Sequence, residues 1–126
     1  MNVIDYTNIS EQEVFDAVAS HLIKQKVPSN IGTRCFYRTS DNLACAAGIF
    51  LTDEQAKLVD EDAFGICWSG VVKRLKLSKV HESLIVSLQQ CHDTSSSHKF
   101  IYFNCLIKQL KSCAELFNLN WNFKNV

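Results

Sequence analysis

A chain of 126 residues fits a single domain, here residues 1–126. Its hydrophobic fraction of 47% beside 21% charge belongs to a globular protein and excludes a disordered tail. Thirteen basic residues balance thirteen acidic ones, so the formal net charge is zero and the basic excess of a dedicated nucleic-acid-binding domain is missing.

The start, Met1-Asn2-Val3-Ile4-Asp5-Tyr6, has neither a basic n-region nor an apolar h-region. No run reaches the ~18 apolar residues of a membrane span. A cytoplasmic protein without membrane association is expected. In that compartment the six cysteines (35, 45, 67, 91, 105 and 113) read as reduced thiols, not as a disulfide framework. Cys67, Cys91, Cys105 and Cys113 lie in apolar helical patterns and are expected in the core.

Ser10-Glu11-Gln12-Glu13 is a capping box. Val14, Phe15, Val18, Leu22 and Ile23 come next at helical spacing, predicting a first helix that ends before Val27-Pro28. Residues 29–33 read as loop. Cys35-Phe36-Tyr37-Arg38 has strand composition, and Thr39-Ser40-Asp41-Asn42 is a turn in which Asn tolerates positive φ. With Leu43-Ala44-Cys45 pairing back, a short β-hairpin is expected near residues 35–45.

The small run Ala46-Ala47-Gly48 invites close approach of another element. Thr52-Asp53-Glu54-Gln55 is a second capping box, opening a short helix toward Val59. Asp60-Glu61-Asp62 reads as an acidic loop, and residues 65–75 as a helix weakened by two glycines. Ser78 is placed to cap the next helix, whose stripe is Val80, Leu84, Ile85, Leu88 and Cys91 and which His92-Asp93 should stop. A last helix starts near His98, with Phe100, Phe103, Ile107, Leu110, Ala114 and Phe117 on its core face. The sum is a mainly all-α chain, a compact bundle of about five helices with one small hairpin.

The central residues also carry a resemblance. Cys35, Phe36, Tyr37 and Arg38, a turn, Cys45, Ala46 and Gly48, the triplet Ile49 to Leu51, and Asp53-Glu54 match a pattern in a group of small phage and bacterial proteins. That pattern reads Cys, hydrophobic, Tyr, Arg, a Gly-containing turn, then Cys-Ala-x-Gly, a hydrophobic triplet and Asp-Glu. Leu88, Gln89, His92 and Asp93 match a later Leu-x-x-Leu-Gln-x-x-His-Asp pattern, with Ile85 in place of its first leucine. The ending Ala114 to Leu119 is also similar. Asn42 stands where the group has glycine and Thr52 where proline is common. The resemblance implies a fold and a mobile-element setting; it implies no reaction.

No Walker loop, G-x-G-x-x-G, H-E-x-x-H or G-x-S-x-G is present. Cys45 with His92, oriented by Asp93, has the residue types of a thiol nucleophile and its base. Cys35 and Cys45, with Cys91 or His92, have the types of a zinc-supported nucleic-acid module. The blander reading makes the thiols buried and His92-Asp93 a helix end, and no metal or cofactor is expected. Arg38 is either a recognition residue or a tie between the hairpin and the next helix start. Tyr102 and Trp121 are aromatics off the core stripe, of the kind enriched at interfaces. The function expected is that of a small non-enzymatic interaction protein, a modulator or inhibitor of a host protein system, with Arg38, Tyr102 and Trp121 in contact with a protein partner or a second copy of the chain.

Overall fold

Ser10 starts the first long element. Its Oγ accepts from the Glu13 N–H at 3.1 Å while the Glu13 carboxylate accepts from the Ser10 N–H, so the capping box is closed. The helix it opens, α1 (Glu11–Gln25), buries Val14, Phe15, Val18, Ala19 and Leu22. It stops where Lys26 turns left-handed (φ 63°), ahead of Pro28. The computed structural model describes residues 3–32, 34–98, 100–124 and 126.

Next come β1 (Asn30–Ile31) and β2 (Arg34–Cys35), paired antiparallel with Asn30 opposite Cys35 and Ile31 opposite Arg34. The two-stranded pairing thus lies just before the span expected for it. Within residues 35–45 the chain doubles back through a single bridge, Arg38 to Ala44. Thr39 N–H donates to the Leu43 carbonyl at 2.8 Å, and Asn42 takes the positive φ (63°) expected of it. After a 3-10 turn at Ala47–Phe50, Thr52 and Gln55 close the second capping box and open α2 (Asp53–Asp62). This helix absorbs Asp60-Glu61-Asp62, which the sequence suggested as loop.

The remaining helices are α3 (Trp68–Leu75), α4 (Glu82–Ser96) and α5 (Tyr102–Leu116). Helix α4 lies against α1, α3 and α5 and forms the centre of the bundle. Ser78 does not cap it: Ser78 Oγ accepts from Val80 N–H, and left-handed His81 precedes the first turn. Nor do His92 and Asp93 stop it, because both side chains find partners that leave the helical backbone intact. The fold is therefore helix-dominated, five α-helices among the described residues with one short antiparallel hairpin. None of these helices is long and apolar enough to cross a membrane.

The core face of α5 differs in phase from the expected stripe. Tyr102, Leu106, Leu110, Cys113 and Ala114 are buried, whereas Phe103 and Ile107 are half-buried and Phe100 precedes the helix at the surface. The sequence offers apolar residues on two neighbouring lines of the helix, about 100° apart. Docking on α4 selects the line that sets the Tyr102 ring edge-on to His92, centroids 6.2 Å apart. Of the cysteines expected in the core, Cys91 and Cys113 are buried, Cys105 is half-buried and Cys67 is exposed just before α3.

Gly48 is required by space. A Cβ there would run into the Tyr37 carbonyl oxygen, which accepts from the Cys45 N–H at 3.3 Å. Gly48→Ala should cost about 1–3 kcal/mol by overpacking, read as a lower denaturation midpoint; an unchanged midpoint would show that the Tyr37 strand moves freely.

Candidate functional site

Between α1 and α2 the chain has little regular structure, yet every residue from Ala44 to Leu51 is buried. A buried peptide group needs a hydrogen-bond partner, and irregular backbone cannot supply enough of them itself. Side chains from the helices supply them here. From α1, Gln25 pairs with both ends of Ala44: its Oε1 accepts from Ala44 N–H and its Nε2 donates to Ala44 O, each at 3.0 Å. His21 Nε2 lies 2.9 Å from the same carbonyl, which can only accept, so Nε2 carries the proton.

From α4, Gln89 Oε1 accepts from Ala47 N–H at 2.9 Å while its Nε2 donates to Asp93 Oδ1 at 2.9 Å. His92, fully buried, accepts from Ser29 N–H through Nε2 at 2.9 Å. That bond fixes the neutral tautomer: Nδ1 holds the proton and donates to Asp93 Oδ1 at 2.9 Å. From α2, the two oxygens of Asp60 accept from Tyr37 N–H (3.0 Å) and Arg38 N–H (3.1 Å). Burial raises the Asp60 pKa, and those two N–H donors pull it back.

Cys35 Sγ, a ring nitrogen of His92 and a carboxylate oxygen of Asp93 lie within 4.8 Å of one another, the spacing of metal ligands. Cys45 does not belong to this group. The donor set does not fit zinc, because a histidine ligand offers a lone pair on one nitrogen. In His92 one nitrogen accepts from Ser29 and the other carries the proton shared with Asp93. Burial raises the Cys35 thiol, which also sits 3.1 Å from Ser96 Oγ. The thiolate that a metal or an electrophile would need is disfavoured.

The pairing of Cys45 with His92 as nucleophile and base meets the same obstacle. Cys45 is 1% exposed and burial pushes its thiol far up, while the His92 lone pair is held by Ser29. A general base needs a free lone pair within reach of the proton it takes. Gln89, His92 and Asp93 instead tie α4 to Ala47, Ser29 and each other.

Of the residues singled out for partner contact, Arg38 lies at the rim of this network. Its guanidinium pairs with Asp53 and donates to the carbonyls of Gly48 (2.9 Å) and Leu51 (3.0 Å), tying the bridge to the start of α2. Tyr102 does not project off the core stripe as expected: it is 4% exposed, turned inward by the phase of α5, and presents no contact surface. Trp121 is half-buried. It packs edge-on to Phe15 and Phe123, lies under Lys111, and donates from Nε1 to the Phe123 carbonyl at 3.0 Å. The tail is laid on α1 by Gln12, whose amide exchanges hydrogen bonds with Asn120 N–H and O at 2.8 and 3.0 Å.

Sequence reasoning passed over Gln25, Asp60 and the role of Gln89. The available signal was a polar residue on an apolar line: Gln89 follows Ile85 by four, and His92 follows Leu88 by four.

Outside the network, a groove of about 350 Å³ runs between the hairpin and α2. Ile31, 57% exposed, and Phe36 give it an apolar lining, and Asp53, Lys57 and Glu61 rim it. Phe64 meets Phe36 at a tilt of 60°, centroids 5.4 Å apart, and lies under the Arg34 guanidinium at 5.1 Å.

His92→Ala should cost about 2–4 kcal/mol, through a cavity and an unpaired Ser29 N–H, and zinc should not raise the melting temperature of the native chain. A zinc-dependent rise that His92→Ala abolishes would contradict the proton assignment.

Burial lowers the His21 pKa, with repulsion from Arg38 in the same direction and the Ala44 bond opposing. Folded protein therefore keeps His21 neutral where the unfolded chain, near 6.5, takes up a proton. This contribution to stability is complete above that value and is lost as pH falls through the folded one. The melting temperature should drop as pH falls below about 6.5, and drop less in His21→Gln, which keeps a donor for Ala44. Equal drops in both proteins would remove His21 as the cause.

No protein-family model, curated protein or solved structure matches the chain.

Proposed function

We propose that this chain is a small non-enzymatic protein that works by binding another protein through the groove between the β1–β2 hairpin and α2. The observation that supports this reading is the exposed Ile31 side chain set in a concave, charge-rimmed surface. Apolar groups gathered in a groove with a polar rim mark protein contacts. Nearby groups of catalytic type already hold the fold together: Arg38, Asp60, Gln89 and His92 each bond at least one backbone group. Arg38 takes part by building the groove wall. Asp53, Asp60 and Glu61 at the groove disfavour a phosphate backbone as the occupant.

Size and the resemblance of the central residues to small phage and bacterial proteins support a phage-encoded modulator or inhibitor of a host protein system, acting in the cytoplasm. A photo-crosslinking residue at position 31 tests the groove, with the same residue at the exposed position 115 as control. Position 31 should give one saturable adduct, competed by the native chain and not by Ile31→Glu. An adduct of twice the chain mass would make the occupant a second copy. No adduct, or the same adducts from position 115, would refute the reading.

A further inference from the structure

On the opposite side of α4 from the hairpin network, two thiols meet between α4 and α5. Cys91 and Cys113 both line a groove of about 370 Å³, with Ser87, Thr94, Gln109 and Ser112 around them. The Cys91 sulfur sits 3.4 Å from the Gln109 carbonyl, the position in α5 to which Cys113 N–H bonds in a regular helix. Cys91 is the donor in that contact, so its one thiol proton is directed at α5 a single helical turn before Cys113. Both side chains are nearly covered, but the groove over them is polar and wide enough for a small oxidant.

We infer that Cys91 and Cys113 form an oxidative modification site, at which hydrogen peroxide converts the two thiols into a disulfide joining α4 to α5. Cys91 directs its proton to the Gln109 carbonyl, which favours its thiol form; the interaction between the two groups holds Cys113 below the ordinary thiol value and, with burial, raises Cys91. Cys113 is thus the first nucleophile and Cys91 the resolving thiol. The Cys113 thiolate attacks one oxygen of the peroxide, the O–O bond breaks, and Cys113 becomes a sulfenic acid as hydroxide leaves. Cys91 gives up its proton and attacks the Cys113 sulfur, the S–O bond breaks, and the second oxygen leaves as water. Two thiols are oxidised, one peroxide is reduced, and two waters result.

Trypsin places Cys91, Cys105 and Cys113 in separate peptides, because it cuts after Lys99, Lys108 and Lys111. The native chain should be treated with hydrogen peroxide, its free thiols alkylated, and the peptides weighed. The expected result is loss of two of the six alkylatable thiols and one joined pair, Cys91 with Cys113, two hydrogens lighter than its parts and separated by dithiothreitol. In Cys91→Ser, dimedone should trap Cys113 as sulfenic acid; in Cys113→Ser, Cys91 should stay alkylatable. Six thiols still alkylatable in the native chain, or Cys91 joined to Cys105 or Cys35, would overturn the proposal without reference to either variant. Equal oxidation of Cys91 in Cys113→Ser would overturn the order of attack.

Discussion

Burying irregular backbone is the constraint on which this fold depends. The eight residues from Ala44 to Leu51 lie in the interior without a sheet to pair their peptide groups. Each buried group left unpaired costs about 1–3 kcal/mol, against a total stability of about 5–15 kcal/mol for a domain. Three or four such losses would be enough to unfold it. Gln25 from α1 and Gln89 from α4 meet that demand at Ala44 and Ala47, while Asp60 from α2 and His92 from α4 pair Tyr37, Arg38 and Ser29 earlier in the same connection. Arg38, six residues before the segment, closes the set by covering the Gly48 and Leu51 carbonyls.

That arrangement explains why residues of catalytic type gather here without forming a catalytic site. Histidine, aspartate, glutamine and arginine are the side chains that can bond a peptide group over a distance, and the same capacity makes them useful in chemistry. What separates the two uses is whether a lone pair or proton remains free, and at His92 neither does. The C-terminal end of α2 shows a related compromise. Three acids there oppose the helix dipole, and Asp60 is compensated by two backbone N–H groups from the bridge. Glu61, which remains exposed, rims a groove that meets solvent.

The parts legible in the sequence were the local ones. Both capping boxes formed as written, since their partners lie three residues apart. Asn42 took the left-handed turn, and Pro28 bounded the first helix. The bonds that hold the central segment join residues 10 to 63 positions apart, and no local pattern encodes them. His92-Asp93 therefore resembled a helix end, although both lie inside α4. The phase of α5 was hidden for a different reason. Two apolar lines compete on that helix, and only the surface it docks against decides between them. Tyr102 changed from an outward aromatic to a core residue on that account.

The position of α4 in the chain also has a bearing on how the protein comes into being. Synthesis runs from the N-terminus, so residues 28–51 leave the ribosome well before Glu82–Ser96 has been made. Until then Ser29 and Ala47 lack the partners that later hold them. Local contacts close quickly and distant ones wait for the chain to arrive. Helix α1 can form at once, but the segment after it stays open to water until its last supports emerge. Completion of the fold thus waits until α4 has been made, and a chain released before that point would expose the apolar stretch from Ala44 to Leu51.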